Sequence, residues 1–391
     1  MLHFLPDRYK RIYIFQLILL LTFLITGFIV FPIVLVTYIL LYKINRLLYK
    51  AIINQLCYFL WIHFTYIAEW WGGLRITIYA EDEMLNKFGK ENALVLMNHK
   101  YDIDWITTWV FAERFGGLGG AQSISKNSLR YVPIIGWIWN FNGTIFLKRN
   151  WIKDKEIIAN SLKDFSNTLD GYTNLLLLYP EGTRFTQSKL EASNEVARAK
   201  GLPEMKHCLL PRTRGFVEII KNLRSQVDWV YDFTVAFPDS VNPAVETVNT
   251  NQPGLTMNNI LNARVKQGNM TYRRIPMKDL PEDEEKLAMW LQDAFKQKDD
   301  LFERYVNTGK FDGPSRLIEP TLTSLVIYCV TFLVIWLVVG SWLGHIIWMS
   351  SWVIRSIVLG ILVTIIIIIQ ILMRVTQADK GSSYGMKKKT S

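Results

Sequence analysis

The chain has 391 residues, 50% of them hydrophobic, and a formal net charge of +10. Its 3 cysteines lack CxxC spacing, which excludes a disulfide framework and a cysteine zinc site and agrees with a domain facing a reducing compartment. The excess positive charge suits a membrane surface. No basic recognition helix or zinc-finger spacing points to nucleic acid.

The apolar content is concentrated at the two ends. Ile12 to Tyr42 carries no charge and is long enough to cross a bilayer. Arg8, Lys10 and Arg11 before it look like the n-region of a signal peptide. The apolar run is too long for a cleaved signal and no small-residue cleavage site follows, so it reads as a retained anchor. Pro32 inside it marks a kink in one span or the bend of a re-entrant segment. Lys43, Arg46 and Lys50 follow, so positive flanks on both sides leave its orientation open. Ala51 to Trp71 is apolar and aromatic, and is expected either in the membrane interface or packed beneath the domain.

The middle of the chain alternates strand-like and helix-like stretches. Leu74–Tyr79, Ala93–Met97, Ala121–Ser125, Gly143–Lys148, Asn174–Tyr179 and Trp229–Phe237 read as strands. Ile103–Phe115, Trp151–Leu169, Ser188–Lys200 and Phe216–Leu223 read as helices. A long helix is expected to open with Pro281 and the acids Glu282 to Glu285 in its first turn and to end at Gly309. The pattern predicts one α/β domain with a mixed or largely parallel sheet flanked by helices. Thr321 to Met373 is too long for one span, and the spacing predicts a helix pair joined near Trp342 to Trp352, with Trp342, Trp348 and Trp352 in an interfacial belt. Lys310, Arg316, Arg374, Lys380 and Lys387 to Lys389 flank the pair and put both its ends in the cytosol. The expected divisions are an anchor and interfacial helix over 1–71, a catalytic domain over 72–316, a transmembrane hairpin over 317–376 and a basic tail over 377–391.

Two clusters carry chemistry. Asn98-His99 follows an apolar strand, and Asp104 comes five residues after the histidine. An imidazole is a suitable general base near neutral pH, and a carboxylate brought back to its ring would fix the tautomer. The same spacing also fits a surface histidine followed by a helix-capping aspartate. The second cluster, Glu181-Gly182-Thr183-Arg184, also follows an apolar strand, so one mouth of the sheet can hold both. Arg184 offers a planar fork for phosphate, Gly182 allows close backbone approach and Thr183 supplies a hydroxyl. Glu181 more plausibly orients Arg184 or a nearby backbone group; a plain turn with a salt bridge is the alternative. Lys126 and Arg130 near one strand end, and Lys148 and Arg149 at another, add cations, although each pair alone also reads as a solvated edge. No GxSxG elbow, Walker-type loop, HExxH motif or complete GxGxxG is present, and no metal site is expected.

Asn98-His99 with Asp104, Phe146-Leu147-Lys148-Arg149, Glu181-Gly182-Thr183-Arg184 and Leu210-Pro211-Arg212 resemble the four ordered blocks of glycerophospholipid acyltransferases. The run from Tyr179 through Phe185-Thr186 and Gly201-Leu202-Pro203 to Leu209-Leu210-Pro211-Arg212-Thr213 resembles the gamma/delta branch of animal 1-acyl-glycerol-3-phosphate acyltransferases. Lys148 before Arg149 departs mildly from some members. The resemblance implies that His99 deprotonates the free hydroxyl of a lysophospholipid while Asp104 holds the ring. The oxygen then attacks acyl-CoA, a co-substrate, with no acyl-enzyme and no cofactor. Glu181, Gly182, Thr183 and Arg184 would surround the acceptor phosphate, with Arg149 and Lys126 assisting, and Asn98, Lys148, Pro211 and Arg212 would make further donor or acceptor contacts. It implies transfer to 1-acyl-sn-glycerol-3-phosphate, giving phosphatidate. Lysophosphatidylinositol or lysocardiolipin as acceptor, and a non-catalytic lipid-binding scaffold, are the alternatives. Lys388 and Lys389, third and fourth from the C-terminus, resemble a dilysine signal for the endoplasmic-reticulum membrane.

Overall fold

The computed structural model describes residues 6–238, 255–349 and 351–375. The tail lysines Lys380 and Lys387 to Lys389 lie outside the described residues. The strands are β1 (Arg75–Tyr79), β2 (Ala93–Met97), β3 (Ala121–Lys126), β4 (Ile145–Leu147), β5 (Leu175–Leu178), β6 (Trp229–Ala236), β7 (Gln267–Pro276) and β8 (Ser315–Ile318). The helices are α1 (Tyr13–Leu41), α2 (Arg46–Tyr66, continued by a π turn to Trp71), α3 (Asp104–Phe115), α4 (Ile135–Trp139), α5 (Trp151–Leu162), α6 (Gln187–Ala199), α7 (Thr213–Leu223), α8 (Glu284–Thr308), α9 (Leu322–Met349) and α10 (Trp352–Val375), with several shorter turns between them.

One eight-stranded sheet runs β4-β3-β5-β2-β6-β7-β1-β8. Pairing is parallel from β4 through β6, so these strands end at one edge. β7 runs antiparallel to β6 and parallel to β1, and β8 closes the other edge antiparallel to β1. Every residue of β2 and β5 is buried, as expected of central strands covered on both faces. Strand alternation divides their side chains between two cores. Ala93, Val95, Met97, Leu175 and Leu177 face the layer of α2 and α3. Leu94, Leu96, Leu176 and Leu178 face that of α5, α7 and α8.

The apolar helices pack on the first face. Trp61 of α2 lies against Trp109 of α3, with ring centroids 4.9 Å apart, so α2 belongs to the core beneath the domain. Pro32 is accommodated within a single α1. Asp7, just before α1, pairs with Lys266 at 2.9 Å, and Gln16 bonds Asn262 at 3.1 Å. Near the far end Tyr38 packs edge-on against Phe141 at 5.2 Å, and midway Ile134 fills the groove left by Gly27. Both ends of a helix about 43 Å long thus touch the same domain. α9 joins this group: Tyr328 stacks on Tyr66 at 3.8 Å and Trp336 bonds Thr22 at 3.0 Å. Tyr13–Leu41, Arg46–Trp71 and Leu322–Met349 are each long and apolar enough to cross a membrane.

Several expectations are corrected. The connection expected near Trp342 to Trp352 narrows, because α9 runs on to Met349 with Trp342 and Trp348 on its exposed side and α10 begins at Trp352. α5 stops at Leu162 rather than Leu169. α8 begins after Pro281, with the Asp283 side chain accepting the Lys286 amide at 2.9 Å as its cap. The division at 316 falls inside β8. β7 and β8 had no strand signal: β7 carries Gly268, Asn269 and two arginines, and β8 is a four-residue edge. Asn142 and Asn269, which each begin an N-x-Thr sequence, are both buried, and the Asn269 amide donates to the Tyr305 hydroxyl at 2.8 Å.

Candidate active site

Parallel pairing makes β2, β3, β4 and β5 deliver their following loops to one edge, where the two chemical clusters meet. β2 ends at Met97, and the next residue locks it in place. The Asn98 side chain accepts from Val235 N at 2.9 Å and donates to Val235 O at 3.0 Å, fastening the strand end to β6. Asn98 is buried, and its side-chain amide and carbonyl are both engaged in this clamp. The chain then turns, and α3 starts at Asp104 itself, where the helix N-terminus favours a carboxylate.

This turn returns Asp104 to the histidine. His99 Nδ1 stands 3.3 Å from Asp104 Oδ2, which also accepts the Tyr101 N–H at 2.8 Å. The imidazole lies flat on the Tyr179 ring, with centroids 4.0 Å apart. Its other nitrogen, Nε2, makes no hydrogen bond among the described residues, and the side chain remains 21% exposed while Asp104 is fully buried. Burial, and then the Arg184 charge, push the His99 pKa well below its ordinary value, so the ring rests neutral. Burial pushes the Asp104 carboxyl up, against the Tyr101 amide that favours its ionised form. With Nδ1–H directed at Asp104, the exposed Nε2 carries the lone pair needed to accept a proton.

The loop after β5 frames this pair from the other side. Glu181 Oε1 accepts the His99 backbone N–H at 2.8 Å, and Oε2 accepts Leu209 N–H at 3.2 Å. Burial raises its carboxyl, and these two amides oppose the rise. Glu181 is 2% exposed, so it is a backbone brace and not a phosphate contact. Phe185 N–H donates to His99 O at 2.8 Å, tying the two loops again. Gly182 adopts φ +70°, and a Cβ there would lie 3.0 Å from the Arg212 side chain, so glycine serves both the turn and the close approach. Thr183 is buried behind it.

Arg184 departs from expectation. Its guanidinium is ion-paired with Asp102, and its carbonyl accepts from Lys189 at 3.0 Å. The Arg184 charge, balanced by Asp102, also acts on the neighbouring imidazole. The cations on the open side are Arg149 and Arg212. Arg149 follows β4 at φ +61°, a conformation costly for a side-chain-bearing residue. Burial, then the like charge of Arg212, lower its pKa. Lys126 ends β3 in register with Leu147, on the same sheet edge. Lys148 is exposed, with its N–H given to Asp154 at 2.7 Å, and Pro211 is buried behind Arg212.

The sequence reading thus brought together His99 and Asp104 with Gly182, Arg149 and Arg212, and it did not assign the parts played by Asp102 and Tyr179. Asp102 lies within the HxxxxD interval, but its partner is 82 residues away and no local spacing announces the pair.

The sheet edge thus brings together an imidazole held by a buried carboxylate and, beside it, the arginines that follow β4 and the strand-end loops, over a layer of apolar helices. A sequence profile described as Acyltransferase matches residues 75–237, and one described as Acyltransferase C-terminus matches 259–331; the protein is an acyltransferase. Over 302 residues it is 39% identical to 1-acyl-sn-glycerol-3-phosphate acyltransferase delta of Homo sapiens, covering 77% of this chain and 76% of that one. It is 39% identical over 319 residues to 1-acyl-sn-glycerol-3-phosphate acyltransferase 3 of Arabidopsis thaliana, covering 80% of each. The gamma enzyme of Homo sapiens is 36% identical over 306 residues, 78% of this chain and 77% of that one. The chain belongs to the 1-acyl-sn-glycerol-3-phosphate acyltransferase family.

Proposed function

We propose that the protein transfers a fatty acyl group from acyl-CoA to the free hydroxyl of 1-acyl-sn-glycerol-3-phosphate, forming phosphatidate. The observation that carries this reading is the His99–Asp104 pair with Nε2 turned to the open side. His99 Nε2 takes the hydroxyl proton as the oxygen attacks the thioester carbonyl. The resulting imidazolium is stabilised by Asp104. The tetrahedral intermediate collapses with C–S cleavage, CoA leaves as a thiolate that needs no strong acid, and the imidazolium then gives its proton to that thiolate or to solvent, which restores the neutral base. No acyl-enzyme forms.

Arg149 and Arg212 hold the acceptor phosphate beside Gly182, with Lys126 at the rim, and Arg184 acts on His99 through its charge. The relatives' names support the acceptor, and the apolar helices packed under the sheet support delivery of both acyl chains from a bilayer. Radiolabelled acyl-CoA offered with 1-acylglycerol-3-phosphate, lysophosphatidylinositol and lysocardiolipin tests the reading. The first should give the highest kcat/KM, and a higher value for either other acceptor would refute the assignment.

A further inference from the structure

From Met205 to Leu210 the chain is neither helix nor strand, yet each backbone N–H is donated to a side chain. Met205 N donates to Asn194 Oδ1 at 3.0 Å. Lys206, His207 and Cys208 all donate to the Asp299 carboxylate, at 2.9, 2.7 and 2.9 Å in their shortest contacts. Leu209 donates to Glu181 at 3.2 Å and Leu210 to Ser193 Oγ at 2.8 Å. Pro211 has no N–H, and Arg212 N donates to Pro180 O at 2.8 Å.

A strand would satisfy such amides on a neighbouring strand; here individual side chains do so, and they hold the segment to one path. Asp299 carries half of the six. It is 2% exposed on α8, and its hydrogen bonds are charge-assisted. The flanking turns of α8 add support: Lys298 pairs with Asp232 of β6 at 2.6 Å, and Glu303 binds His207 Nε2 at 2.6 Å. The strap leads directly to Arg212, whose side chain lies against Gly182. His99 has its own anchors in Glu181 Oε1, the Asn98 clamp and Phe185 N; none of these touches α8, and only Glu181, through its other oxygen on Leu209, is shared with the strap.

We propose that Asp299 is a positioning residue that sets the place of the Arg212 guanidinium, so that helix α8, within the segment matched by the C-terminal profile, governs affinity for the phosphate of the acceptor. This rests on the reading that Arg212 meets that phosphate. The strap is pre-ordered, and acceptor binding therefore bears no cost of ordering it.

The test compares Asp299→Ala, Asp299→Asn, Arg212→Gln and the Asp299→Ala/Arg212→Gln double variant in the full-length enzyme, measuring kcat and the KM for each substrate. Asp299→Ala should raise the KM for 1-acylglycerol-3-phosphate about tenfold, leaving the KM for acyl-CoA and kcat within about twofold. Asp299→Asn keeps an oxygen for His207 and Cys208 and should give a smaller rise, about threefold; it decides the matter if the alanine variant does not accumulate. The double variant should be no worse than Arg212→Gln, because both act through one group. An unchanged acceptor KM, a joint loss in kcat and both KM values, or additive effects would overturn the proposal. If Arg212→Gln itself leaves the acceptor KM unchanged, the phosphate reading fails and the positioning role falls with it. If Arg212→Gln raises that KM and the Asp299 variants do not, only the positioning role fails.

Discussion

Asp102 and Arg184 form an ion pair beside the His99 imidazole, although 82 residues separate them in the chain. Within this pair, the Arg184 charge holds the His99 pKa down and the Asp102 charge acts in the opposite direction.

The pair therefore makes a prediction about pH. His99 works as a base only when neutral, so activity falls as pH drops through its pKa. Because burial and Arg184 lower that value, the acid limb of kcat/KM for the acceptor should lie below the ordinary histidine pKa of about 6.5. Arg184→Gln removes the positive charge and leaves Asp102 unneutralised, and both changes favour imidazolium. The acid limb should then move to higher pH. Ionisation of the acceptor phosphate is common to both enzymes, so the difference between their profiles isolates the protein group. An unmoved limb, or one displaced to lower pH, would show that Arg184 does not act on His99.

Asp104→Asn separates geometry from chemistry. An asparagine can still accept the Tyr101 N–H through its oxygen, but it cannot stabilise the imidazolium as a carboxylate does. We expect kcat to fall by about 10²- to 10⁴-fold with little change in either KM and little change in melting temperature. A loss confined to KM would argue that Asp104 shapes the pocket only.

Glu181 is predicted to act as a brace. Glu181→Gln keeps one oxygen but turns an NH2 group toward the His99 or Leu209 amide, leaving a buried donor unpaired. The expected cost is about 1–3 kcal/mol, seen as a lowered melting temperature in detergent, together with a lower kcat as His99 loses its backbone support. A variant as stable as wild type whose only defect is acceptor binding would restore Glu181 to the phosphate site.

How much was legible from sequence follows from the range of each interaction. The central strands β2 and β5 declare themselves because burial on both faces demands unbroken apolar runs. The His99–Asp104 pair is legible because one turn joins its members. The ion pair of Arg184 could not be read in advance because its partner lies on another loop, and a guanidinium in sequence does not reveal whether an aspartate stands beside it. The sequence left Glu181 with a phosphate, Arg184 or a backbone group, and the two amides it accepts come from separate segments that no local spacing joins. β7 escaped notice since its polar residues are stabilised by pairing between β6 and β1, a purely tertiary effect. The strap from Met205 to Leu210 has no period at all, for its order comes from side chains on α6, α8 and the loop after β5.

The most direct test of the account is single-turnover transfer of radiolabelled acyl groups from acyl-CoA to 1-acylglycerol-3-phosphate by purified wild type and His99→Ala, with folding checked by thermal melting. A general base removed from an otherwise intact site predicts a rate lower by about 10²- to 10⁴-fold at an unchanged melting temperature. Transfer by the folded variant within a few-fold of wild type would contradict it.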